Sequence, residues 1–177
     1  MESDIVTNPK FFSCDGGPHL LLSNSERNRW GKNHPADVLN PGSDYARACN
    51  IKPPFGFIDV GKTQALVLGG NPAISGWDLL PNGGLDLFIF ERWSRPELDV
   101  LRILASAVQN GVALSDTLVE WKIPEGGVTL MFAGDHPGKS VYGEEIIPIQ
   151  PGTYRIIRGW HEDSRGAVLL LRIVPKG

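Results

Sequence analysis

The chain has 177 residues, 41% of them hydrophobic and 21% charged, which is enough for one domain with a sizeable core and short for two. With 17 Lys and Arg against 20 Asp and Glu, the formal net charge of −3 argues against a main task of gripping nucleic acid. No apolar run approaches the roughly 20 residues that span a bilayer, so no membrane role is expected.

In chain order, the first segment, Met1 to Lys10, carries Glu2 and Asp4 and shows no basic patch, apolar run or small-residue cleavage site. Residence in the cytoplasm is the expectation, with Cys14 and Cys49 reduced, because two thiols in a chain of this size make no disulfide framework. Glycines and prolines (21 and 14) then divide the chain into short segments rich in Val, Ile, Leu and Phe. Such segments read as strands. The expected strands are His19 to Ser23, Phe55 to Val60, Gln64 to Leu68, Leu85 to Phe90, Leu118 to Lys122, Val128 to Phe132, Glu145 to Ile149, Thr153 to Arg158 and Val168 to Val174. Gly61-Lys62 and Pro124 to Gly127 are turn signals that predict antiparallel neighbours on either side. Between the first two strands, Ser25 to Asn50 is polar and holds Pro35, Pro41 and Gly42, which predicts an irregular excursion with a short helical turn near Tyr45 to Cys49.

One long helix is expected, from Pro96 to Gln109, where Leu98, Leu101, Leu104, Ala105 and Val108 recur at spacings of three and four. Ser94 and Glu97 have the spacing of a capping box, Pro96 sits in the first turn, and Asn110-Gly111 offers a left-handed stop. After it, the carboxyl-terminal third reads as a meander that turns at Pro151-Gly152 and returns through Val168 to Val174. The fold class these elements predict is α+β, mainly β: antiparallel sheets, sandwich-like or strongly curved, with one long helix packed on a sheet face, as a single domain over residues 1–177.

Four histidines, His19, His34, His136 and His161, raise the question of metal or catalytic chemistry. Apart from Asp135-His136 and His161-Glu162-Asp163, none has a ligand-type neighbour at metal-site spacing, and adjacent strand residues face opposite ways. No metal site or cofactor is expected. Cys14 and His19 are five residues apart across a Gly-Gly-Pro turn and meet only if that turn folds tightly back. The simpler expectation makes Cys14 a small apolar residue at the lip of the first strand. The sequence GKT at residues 61–63 lacks the earlier glycine of a phosphate loop and is flanked by strands. Arg92, Arg95 and Arg102 alternate with Glu91, Glu97 and Asp99, which cancels the field a phosphate backbone would feel. Glu144-Glu145 and Glu162-Asp163 lie beside turns, where carboxylates are expected to stay solvated and unshifted. Five tryptophans are available as anchors or core: Trp77 and Trp121 are expected in the core, whereas Trp30, Trp93 and Trp160 stand among polar residues.

No catalytic residue is assigned from these patterns. A strand opened by Asp15-Gly16-Gly17-Pro18, the pair Trp30-Gly31, the segment Asp44-Tyr45-Ala46-Arg47-Ala48-Cys49 and the run FIDVGKTQALVLGGNPAISGW at residues 57–77 together resemble the immunity protein 21 family of bacterial polymorphic toxin systems. The resemblance implies a non-enzymatic cytoplasmic inhibitor whose partner is a cognate toxin domain. A basic nuclease would suit the slightly acidic chain, which itself touches neither nucleic acid nor membrane. Partner contact is expected at Asp44, Tyr45 and Arg47 of the motif region and at Trp160, Glu162 and Asp163 of a carboxyl-terminal loop. The alternatives are a small-molecule or carbohydrate-binding β-rich module lined by Tyr154 and Trp160, and an enzyme using His19, Asp44, Tyr45 and Arg47.

Overall fold

The structure, a computed structural model, describes residues 9–14, 16–31, 40–70, 74–93 and 96–177. Among them are eleven strands: β1 Lys10–Ser13, β2 His19–Ser23, β3 Phe55–Val60, β4 Thr63–Leu68, β5 Ile74–Leu79, β6 Leu85–Trp93, β7 Leu114–Ile123, β8 Val128–Phe132, β9 Glu145–Ile147, β10 Gly152–Asp163 and β11 Gly166–Pro175. The helices are α1 Asp44–Cys49 and α2 Pro96–Asn110. The expected class holds: the protein is mainly β, with two antiparallel sheets and one long helix on a sheet face. Two strands lacked a legible signal, β1 and β5, because each is short and interrupts its apolar residues with Lys, Ser, Gly or Asp.

The chain divides into two compact units, one formed by residues 1–11, 74–120 and 154–177 and the other by residues 12–73 and 121–153. In the first, the six-stranded sheet runs in the order β1-β5-β6-β11-β10-β7. Period-two alternation sorts its side chains. Phe88 and Phe90 of β6 and Val168 and Leu170 of β11 share a face, and Val100, Ile103, Leu104 and Ala107 of α2 pack onto it. The helix therefore buries a stripe rotated from the expected one, and Leu101 and Ala105 are exposed. Two sets with helical spacing coexist in this segment, and contact with the sheet selected the set containing Val100 and Ile103. The expected Ser94 cap lies outside the described residues.

In the second unit, the five-stranded sheet has the order β3-β4-β2-β8-β9. Its central strand, β2, is buried along its whole length, with β4 and β8 paired on its two edges. Leu20, Leu22, Ala65, Val67 and Met131 form one face, closed by Ala48 of α1 and by Trp30. Trp30 is core here, its indole N–H donating to the Ala133 carbonyl at 3.0 Å, although its sequence neighbours are polar. Trp77 and Trp121 are also buried, as expected, and the side chain of Trp93 lies outside the described residues.

Two expected neighbour relations are corrected. The Pro124 to Gly127 turn does not close a hairpin, because β7 belongs to the six-stranded sheet and β8 to the five-stranded one. For the same reason Pro151-Gly152 is a crossover between sheets: β9 pairs with β8, whereas β10 pairs with β11. Turn chemistry specifies that the chain reverses, but hydrogen-bond partners are chosen by burial.

Candidate functional site

Helix α1 is short, and its start is fixed by Ser43, whose hydroxyl accepts from the Ala46 N–H at 3.1 Å. This cap presents the motif residues differently from one another. Asp44 is only 5% exposed; it accepts from the Gly31 N–H at 2.9 Å and from Arg47 Nη1 at 3.0 Å. Arg47 reaches on to the Asp59 carbonyl at 2.8 Å, so it ties α1 to β3 with its half-buried guanidinium. Tyr45 is half-buried, edge-on to Phe132 with ring centroids 5.8 Å apart. Burial pushes its hydroxyl up to about 12, helped by a hydrogen bond to Cys49 one turn along the helix and by the nearby thiol of Cys14. Replacing Asp44 with Ala leaves the Gly31 N–H without that acceptor, and the expected loss is about 1–3 kcal/mol of unfolding free energy in urea titration. A loss below the scatter of such titrations would remove Asp44 from the support of this corner.

The Cys14 and His19 side chains do meet. Gly16 and Gly17, with φ of 124° and 112°, fold the turn back onto the strand, and Cys14 Sγ lies 3.1 Å from His19 Nε2. Glycine alone adopts such dihedrals without strain, which is the physical reason the expected separation of the two side chains is wrong. His19 is fully buried, edge-on to Phe12 at 4.9 Å, and desolvation lowers its pKa to about 4. Burial therefore keeps this imidazole neutral at neutral pH.

That shift has a measurable sign. The unfolded imidazole titrates near 6.5 and the folded one near 4, so above pH 6.5 the difference contributes nothing. As pH falls from 6.5 towards 4 the unfolded chain takes the proton first, and stability drops by about 3 kcal/mol. In denaturant titrations at a series of pH values, wild type should show this loss on top of that of the His19→Leu variant. Parallel curves for the two proteins would show that His19 is not the group responsible.

At the other candidate position, Trp160, Glu162 and Asp163 belong to β10, which continues through them to a tight turn; they are strand residues, not loop residues. Trp160, Glu162, Arg158, Ile156 and Tyr154 alternate on one face, and exposure increases toward the turn: Tyr154 and Ile156 are buried, while Trp160 is 49% exposed and Glu162 is exposed. Tyr154 therefore cannot line an open sheet surface together with Trp160. Asp163 is gripped by Arg165, which donates Nη2 to Oδ2 at 2.5 Å and its backbone N–H to Oδ1 at 2.8 Å. These bonds hold the carboxyl at about 2, so it is not the unshifted loop carboxylate expected from its neighbours.

A further pair escaped the sequence reading. Asp86 on β6 and Arg172 on β11 are directly opposite in register and form a bidentate ion pair, Nε to Oδ1 at 2.9 Å and Nη2 to Oδ2 at 2.8 Å. The available signal was a single charge of opposite sign inside each of two apolar runs, LDLFIF and LLLRIV. Among the described residues no group of three or more His, Cys, Asp or Glu is placed to hold a metal ion, and no helix is long and apolar enough to cross a membrane.

The fold and these surfaces define an α+β, mainly β protein that displays an aromatic and acidic strand end on one unit and a tyrosine-arginine corner on the other. A family model, immunity protein 21, matches residues 10–166, most of the chain. The chain belongs to the immunity protein 21 family. No curated protein and no solved structure matches it.

Proposed function

We propose that this protein binds a cognate bacterial toxin domain in the cytoplasm and neutralises it by occupying its surface, without catalysis, the 177 residues acting as one immunity domain. The observation that carries this reading is membership of the immunity protein family over residues 10–166. Two surfaces are proposed for contact. Trp160 and Glu162 offer an exposed indole beside an acidic side chain on one face of β10, with Asp163 at the same strand end on the other face, a combination of anchor and steering charge that suits a basic partner such as a nuclease. Tyr45 and Arg47 offer a second; Asp44, being buried, serves it by holding Arg47.

The test is co-expression with the polypeptide encoded beside this gene, followed by co-purification and a growth assay. A stable complex together with rescue from toxicity supports the proposal; absence of both overturns it. With the complex in hand, Glu162→Lys with Asp163→Lys should slow association at low ionic strength by about tenfold and flatten its salt dependence. Unchanged association kinetics would remove the β10 end from the contact surface while leaving Tyr45 and Arg47 to be tested in the same way.

A further inference from the structure

Residues 133–144 connect β8 to β9 in the second unit and carry Val141, which is 83% exposed, more than any other large hydrophobic side chain among the described residues. Single exposed apolar residues are ordinary on protein surfaces, so exposure alone assigns nothing. What sets Val141 apart is the rigidity built around it. Two carboxylates hold the loop. Asp135 Oδ2 accepts from the Ser140 hydroxyl at 2.5 Å and from the N–H of Val141 itself at 3.1 Å. Glu144 accepts from the Gly138 N–H and pairs with Arg27 at 3.3 Å, which ties the far end of the loop to the segment after β2. Between them a turn is closed by the Lys139 N–H donating to the His136 carbonyl at 3.0 Å. Tyr142 packs edge-on to Phe132 at 5.4 Å, so the residue after Val141 is anchored on the sheet while Val141 itself stands in solvent.

Position adds a second argument. Phe132 is also edge-on to Tyr45, with ring centroids 5.8 Å apart, so one aromatic ring joins this loop to the tyrosine-arginine corner. The loop is therefore continuous with a surface already proposed for toxin contact. Because Asp135 and Glu144 are engaged with donors of the loop and of Arg27, the tip presents a branched aliphatic group on a fixed backbone. An apolar concavity is the complement of such a group, since burying a valine side chain is favourable and a backbone ordered beforehand spares the cost of ordering it on binding. Resting on the toxin-binding reading above, we propose that Val141 is the apolar anchor of a preformed toxin-binding loop, residues 135–144, and enters an apolar pocket of the toxin domain beside the contact made by Tyr45.

The test measures binding of the full-length protein to the polypeptide encoded beside its gene. Val141→Ala should weaken the complex about tenfold, chiefly through faster dissociation. Val141→Asp, which would place a charge in the pocket, should weaken it about a hundredfold or more. Urea midpoints of both free variants should match wild type, because the side chain touches little of its own protein. Asp135→Ala keeps Val141 but releases its N–H and Ser140, and the ordering cost it restores should weaken binding about fivefold. Should the aspartate disturb the loop, Val141→Thr, of the same shape but polar, takes its place and should weaken binding about fivefold. If wild type forms no complex, the toxin-binding reading fails and this proposal with it. If wild type binds and folded Val141→Asp, Val141→Thr or Asp135→Ala binds as tightly, the reading stands and the anchor loop is overturned.

Discussion

Arg172→Met lowers the free energy of unfolding by about 3 kcal/mol, the lower end of the range for removing one partner of a buried ion pair, because the Arg172 side chain retains some exposure. The magnitude comes from what is left behind. Asp86 lies in the middle of the sheet between Asp78 on β5 and Arg172 on β11, and it is fully buried. Without the guanidinium its carboxylate keeps its desolvation penalty and loses its principal charge partner. Asp86→Leu combined with Arg172→Met removes the penalty with the partner, so the double variant should recover most of the loss. Urea titration of wild type, single and double variants measures both effects. A single variant within about 1 kcal/mol of wild type would show that the pair carries little of the stability.

Trp30→Ala should cost about 3–5 kcal/mol, while Trp160→Ala should stay within about 0.5 kcal/mol of wild type. The two residues look alike in sequence, each beside a glycine and an arginine or histidine. In the structure Trp30 is 2% exposed, packs with Leu20, Leu22, Val60 and Met131, and donates its indole N–H to Ala133. Removing it leaves a large cavity and one carbonyl without its donor. Trp160 points to solvent over half its surface, so its truncation should appear in partner affinity before it appears in stability. Thermal and urea unfolding of both variants decide the matter; equal costs would contradict the assignment of Trp30 to the core and Trp160 to the surface.

Much of the fold was legible because local patterns and local structure coincide. HLLLS and VTLMF are strands at the boundaries their composition indicates, and Pro96 to Asn110 is one helix. Where two patterns compete, the chain alone is ambiguous. The helix carries two apolar stripes, and only contact with Phe88, Phe90, Val168 and Leu170 decides between them. The candidate site was legible in part. Tyr45 and Arg47 are half-buried and Trp160 and Glu162 exposed, whereas Asp44 is an internal brace and Asp163 is held by Arg165. No local pattern distinguishes a carboxylate that faces a partner from one that bonds a backbone N–H thirteen residues away.

By itself, the order of residues determined what depends on near neighbours: the mainly β composition, the single long helix, the places where the chain reverses, and the motifs that mark the immunity protein 21 family. Tertiary structure alone decided what depends on distant ones. It sent β7 and β8 to different sheets, bonded the buried Trp30 indole to the Ala133 carbonyl, set Asp86 opposite Arg172, and brought Val112 close against Gly159. The reason is physical: dihedral preferences and periodicity act over a few residues, whereas burial and charge pairing are settled by whichever segments the sheets bring together.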